Sequence, residues 1–188
     1  MSMQTTEAIR ARRSIKRFTD RPISRAELEA LLELAVLAPN HRLTQPWRFY
    51  VLGPEARYAY GIALGERKAR KQPDPDAGRK LRDTVAEEHR ALPCMLVVAV
   101  VNSDNPEIRE EDYAATMMAI ENLALAAVDR GLGTHLKTGG VMQDPAARLA
   151  AGVKDNERIV AVVNLGEPAD VPPHKPRQPA TAATTWVA

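Results

Sequence analysis

Two short apolar runs constrain this chain more than any other feature, residues 95–101 (MLVVAVV) and residues 159–165 (IVAVVNL). Each is valine-rich, too short for a stable helix, and without regular polar alternation. Both therefore read as strands buried on both faces, as in a sheet covered on each side. Residues 113–130 are apolar almost all round a helical circumference, through Met117, Met118, Ile120, Leu123, Leu125 and Val128. Such a helix belongs inside the fold or across a subunit contact, and Gly131 fits its C-terminal cap.

The remaining elements follow from local signals. A short helix begins near Thr5 or Thr6 and runs into residues 10–13. Ser24 and Glu27 form a capping box, with the hydroxyl accepting from the Glu27 amide and the Glu27 side chain reaching back. Leu28, Leu31, Leu32, Ala35 and Val36 then carry helical spacing that stops at Ala38-Pro39. A strand is expected over residues 47–52, and a helix from Pro54 to about Arg70. Residues 71–76 (KQPDPD) read as a mobile surface excursion before a charged helix over residues 77–90. A short strand over residues 134–138 and a small helix from Asp144-Pro145 to Gly152 complete the set. The tail from Glu167 is proline-rich and extended at first. The order predicts a single α+β domain, residues 1–188, with helices around a central sheet.

Composition removes several function classes. The formal net charge is only +2, which argues against a general nucleic-acid binder, since such proteins neutralise many phosphates. Cys94 is the one cysteine; it stands at the mouth of an apolar run and reads as a buried, inert thiol. No apolar stretch approaches the ~20 residues that span a bilayer, and residues 1–7 lack a signal core. A cytoplasmic protein without membrane or nucleic-acid partners is the expectation. Four scattered histidines (His41, His89, His135, His174) offer no metal-ligand spacing. Gly131-Leu-Gly133 follows a helix and enters a strand, the reverse of a dinucleotide fingerprint. No P-loop or nucleophile elbow is present.

Two segments carry chemistry. Arg12, Arg13, Lys16 and Arg17 fall within six residues beside Ser14, a donor set suited to a phosphate. Taken alone, such a cluster also describes a solvated basic face. Residues 38–49 (APNHRLTQPWRF) carry polar side chains into a loop between a proline-terminated helix and a strand, where a ligand could be met.

Together, Arg-Arg-Ser-x-Lys-x-Phe, about 20 residues of helix, and Ala-Pro-(x)5-Gln-Pro-Trp-x-Phe closely resemble the nitroreductase family of FMN-dependent NAD(P)H oxidoreductases. Gly131-Leu-Gly133-Thr134, Lys137-Thr138-Gly139, residues 162–168 (VVNLGEP) and His174-Lys175-Pro176-Arg177 resemble that family's later landmarks. The length matches its short members. The resemblance implies a nitroreductase-like fold with a central mixed sheet, and a homodimer with an extended C-terminal segment. It implies bound FMN, with Arg12, Arg13, Ser14 and Lys16 on the phosphate and ribityl chain. Leu136, Lys137, Thr138 and Gly139 would line the flavin, with Lys137 as the cation near its pyrimidine side. Asn40, His41, Leu43 and Gln45 would approach from the partner subunit, and Arg177 is the tail's candidate for the phosphate. Leu43 stands where the family commonly has asparagine, and its acidic Leu-Glu-Glu ending is absent. The activity implied is ping-pong hydride transfer through flavin N5 from NAD(P)H to a nitroaromatic, a quinone or a similar small oxidant. Flavin fragmentation, reductive dehalogenation and non-catalytic anion binding are the alternative readings.

Overall fold

A computed structural model describes residues 3–187. Ten main elements follow in chain order: α1 (Thr5–Ala11), α2 (Arg25–Ala35), β1 (Trp47–Val51), α3 (Pro54–Ala69), α4 (Pro75–Arg90), β2 (Cys94–Val101), α5 (Pro106–Asp129), β3 (Gly133–Lys137), α6 (Pro145–Ala151) and β4 (Glu157–Gly166). The strands form one sheet in the order β1-β2-β4-β3.

The two apolar runs occupy the middle of that sheet, and their alternation builds two cores. Leu96, Val98 and Val100 of β2, with Val160, Val163 and Leu165 of β4, pack against α2 and α5. Met95, Val97 and Ala99, with Ile159 and Val162, face α3 and α6. Each large side chain so buried contributes about 1.5–3 kcal/mol relative to exposure. Cys94 belongs to the first core, buried as expected, and burial pushes its thiol up to about 11. Helix α4 covers α3 at close range. Gly61 and Gly65, one turn apart, have no side chains to hold it off; a Cβ on either would stand 2.7 Å from the Cα of Ala86 or Arg82.

Several expectations are refined. Helix α4 starts at Pro75, with Asp74 accepting from the Asp76 amide, so the supposed excursion is a tight turn running into a capped helix. Helix α5 starts at Pro106, capped by Asn105, seven residues before its apolar face begins. The Ser24 hydroxyl accepts from the Glu27 amide at 3.2 Å, but the Glu27 carboxylate pairs with Arg21 at 2.7 Å rather than closing the capping box. All three strand ladders are antiparallel; the parallel component of the sheet is one bridge, Ser14 to Thr134. No helix among the described residues is long and apolar enough to cross a membrane.

Candidate active site

That parallel bridge organises the site. Arg12 caps α1, its N–H donating to the Ala8 carbonyl, and the chain then runs beside β3. The Ile15 N–H donates to the Thr134 carbonyl at 2.9 Å. Gly133 makes this approach possible: a Cβ there would lie 2.3 Å from Ile15 Cγ1. Ile15 is buried and anchors the segment, while its neighbours Ser14 and Lys16 stay exposed.

Strand register divides β3 between two faces. Thr134 and Leu136 lie opposite Leu165 and Val163, which enter the α2–α5 core. His135 and Lys137 lie opposite Asn164 and Val162, on the α3 side. Lys16, His89, His135, Lys137 and Asn164 consequently line one cavity of about 760 Å³. Thr138 and Gly139 follow as an exposed turn, with Gly139 at φ 145°.

Cations outnumber acids around the cavity, with Lys16, Arg17 and Lys137 against Asp20 and Glu88. Burial, then Lys68, holds the Lys137 ammonium below its ordinary range, against an opposing pull from Glu88. Burial, then Lys137 and Lys16, lowers His135. Burial also lowers His89, joined by Lys137 and Lys68 and opposed by the hydrogen bond from its Nδ1 to the Val85 carbonyl. Both shifts favour the neutral ring. The buried Asn164 Oδ1 has no hydrogen-bond partner, a deficit that costs about 1–3 kcal/mol until a donor arrives. Cations plus an acceptor in want of a donor fit a polar heterocycle with both carbonyl and N–H edges. FMN has such a ring and also carries a phosphate.

The other residues expected at the site divide. Arg12 Nε lies 3.5 Å from the Glu121 carboxylate. Arg13 turns back on its own backbone, donating to the Arg10 and Arg12 carbonyls, and leaves a buried Nε without a partner. The Asn40 Oδ1 accepts from the Gln45 N–H at 2.8 Å, and the Asn40 side-chain amide donates to Thr44. His41 and Arg42 pair with Glu111 at 3.0 Å, and the Thr44 hydroxyl donates to Asp112. Leu43 and Gln45 take φ +50° and +46°, left-handed values that strain a side-chain-bearing residue.

The 40–45 loop is thus tied to α5 near Glu111, whereas Arg12 meets α5 at Glu121. Ten residues of helix separate these points by about 15 Å. Among the described residues, no hydrogen bond joins the loop to the 12–16 segment. One protomer brings Ser14, Lys16, Leu136, Lys137, Thr138 and Gly139 together along β3 and keeps its own Asn40, His41, Leu43 and Gln45 apart. Arg177 is also apart: its guanidinium donates to the Lys175 and Pro176 carbonyls in an exposed tail.

Sequence reasoning missed His135, His89 and Asn164. Period-2 alternation from Lys137 would have found His135. The other two require the β3–β4 register and the α3–α4 packing.

Comparison with known proteins agrees with this architecture. Residues 9–167 match the sequence profile described as the nitroreductase family. YfhC of Bacillus subtilis (strain 168), provisionally named an NAD(P)H nitroreductase, is 34% identical over 176 residues, covering 92% of this chain and 89% of its own. The crystal structure of a nitroreductase-like family protein from Bacillus cereus superposes with a TM-score of 0.85 at 28% identity, covering 100% of this chain and 97% of that one. A nitroreductase with bound FMN from Bacteroides fragilis gives a TM-score of 0.74 at 22% identity over the full length of both, a likeness of fold.

Proposed function

The chain belongs to the nitroreductase family, and from that premise we propose that it is an FMN-dependent NAD(P)H oxidoreductase that reduces small acceptors such as nitroaromatics or quinones. One observation carries the assignment to this site. The Ser14–Thr134 bridge lays the basic segment along β3, where Lys16 shares a cavity with Lys137 beside the exposed Thr138–Gly139 turn.

FMN supplies the electron-carrying chemistry between reductant and acceptor, and the protein supplies binding, orientation and field. Arg12, once released from Glu121, and the Ser14 hydroxyl would hold the phosphate and ribityl end. Lys16 and Lys137 set a positive potential beside the ring, which favours negative charge there. Asn164, whose buried Oδ1 lacks a partner, and the backbone of the Thr138–Gly139 turn would help to hold the ring. None of these roles demands a protein nucleophile, in keeping with a buried Cys94.

The site is completed by a second copy, whose Asn40, His41, Leu43 and Gln45 approach from the strained loop. The separation of that loop from its own 12–16 segment supports this arrangement. So does an exposed apolar face beside it. Leu34, Leu37 and Met118 are 41%, 73% and 40% exposed, and Asn122, one turn beyond Met118, donates to the Leu34 carbonyl. Trp186 and Val187 are more than nine-tenths exposed at the tail's end, apolar side chains suited to lie on a partner.

The test is purification followed by an absorption spectrum and sedimentation. A yellow dimer whose flavin band bleaches on NAD(P)H addition is expected. A colourless protein that binds no added FMN overturns the reading and favours a non-catalytic anion binder.

A further inference from the structure

The C-terminal end of α3 carries charge that the flavin site does not use. Arg67, Lys68 and Lys71 line an open cavity of about 460 Å³ together with Thr138, Gly139 and Gly140. No acidic side chain lines it, and none of the three cations enters an ion pair among the described residues. Arg67 and Lys68 do lie in the last turn of α3, where cations complement the helix dipole. That placement does not account for their packing. The Arg67 guanidinium folds over Gly140, close enough that a Cβ there would meet Nη2 at 2.4 Å. Lys68 sits near enough to Lys137 to oppose its charge. Like charges held together over an exposed turn, at a cost, mark a place that an anion would relieve.

We infer that Arg67, Lys68 and Lys71 form an anion-recognition rim, which captures a phosphate or carboxylate carried by the molecule docked over the Thr138–Gly140 turn. The inference rests on the flavin reading of the neighbouring site and goes beyond it, because it states what the exchanging substrate must carry. Two sources share this chemistry: the phosphates of the reduced nicotinamide dinucleotide, and a carboxylate on the acceptor. A neutral acceptor delivered with a neutral donor gains nothing from the rim.

The test compares the holoenzyme with a Lys68→Glu/Lys71→Glu variant, whose altered side chains are exposed. Lys154→Glu, exposed in the turn before β4 and outside this cavity, serves as the control for a charge reversal elsewhere on the surface. The donor arm sets NADH and NADPH against neutral 1-benzyl-1,4-dihydronicotinamide, with menadione as acceptor. The acceptor arm sets 4-nitrobenzoate against nitrobenzene at fixed NADH. In at least one arm the double reversal lowers kcat/KM for the charged substrate, relative to its neutral counterpart, by about tenfold or more, the loss of one charge-assisted contact. The arm that responds identifies the source, and the effect shrinks as salt is raised. Ratios that stay within about twofold in both arms overturn the inference. The colour of the purified protein separates the two claims: without flavin the underlying reading fails. Calorimetric titration of NADP+ and of 4-nitrobenzoate into wild type and variant then decides the rim alone, and equal affinities overturn it.

Discussion

Replacing Gly133 with Ala tests whether the basic segment is seated on β3. Gly133 is not in a left-handed conformation, so its backbone accepts alanine without strain, and the effect comes from contact alone. The new Cβ would meet Ile15 Cγ1 at 2.3 Å, Ile15 Cβ at 3.0 Å and Pro168 Cγ at 3.1 Å. Ile15 is 3% exposed and has nowhere to swing, so the strand holding Ser14 and Lys16 must lift away. Overpacking of this kind costs about 1–3 kcal/mol, offset by about 0.5–1 kcal/mol for replacing glycine in a strand. A 2.3 Å contact puts the overpacking at the upper end of that range, so the net loss is about 2 kcal/mol, which lowers Tm by roughly 4–8 °C for a domain of this size. The fold survives, but flavin retention falls because Ser14 and Lys16 are displaced. Ile15→Ala alone leaves a cavity and costs about 2–5 kcal/mol. In the double variant the two new methyl-sized side chains share the space, so the cost is less than the sum by about 1–2 kcal/mol. Urea denaturation of the four proteins, with the flavin-to-protein absorbance ratio of each, measures both effects. Strictly additive losses with unchanged flavin content would refute the placement of residues 12–16 along β3.

Three further outcomes follow from the same contacts. His89 and His135 have pKa values below their unfolded 6.5, so the unfolded chain binds more protons and stability falls as pH drops below about 6.5; the urea midpoint should decline from pH 7.5 to 5.5, and His89→Gln should flatten that slope. Cys94, 4% exposed with its thiol raised to about 11, should resist a thiol-reactive dye in the native protein and react fully in denaturant; rapid native labelling would contradict its place in the core. Leu37→Asp, at a site 73% exposed in one protomer, should leave the folded monomer's stability within about 0.5 kcal/mol yet shift sedimentation from dimer to monomer and release flavin.

Much of the fold was legible because burial on both faces leaves a plain mark. Strands β2 and β4 have few polar residues and no helical length, and the all-round apolar character of α5 required a buried helix. The start of α5 was hidden because Glu107, Glu110, Glu111 and Asp112 look like solvated chain. Asn105-Pro106 was the available cap signal, and three of those acids, Glu107, Glu111 and Asp112, turn out to hold the 40–45 loop. Helix α4 began earlier than expected for a similar reason: in KQPDPD the prolines suggested a mobile surface excursion, whereas Pro75 occupies the first helical turn. At the candidate site, residue types pointed to Arg12, Ser14 and Lys16, and the family resemblance to Lys137. Nothing local announced that Asn164 and His89 would join them, since pairing of β3 with β4 and the glycine-mediated approach of α4 bring those residues in. Arg13 shows the opposite case, a cation in the right cluster whose Nη1 turns back on its own backbone and whose buried Nε has no partner.

The central claim is that Lys16, beside Lys137 on the β3 edge, belongs to a flavin site. FMN titration of the flavin-stripped protein, followed by quenching of flavin fluorescence, tests it most directly when wild type is compared with Lys16→Ala. Stoichiometric binding to wild type is predicted, with affinity lowered at least about tenfold in the variant, as expected for one lost charge-assisted contact. Equal FMN affinity in the two proteins, or no binding to either, would contradict the account.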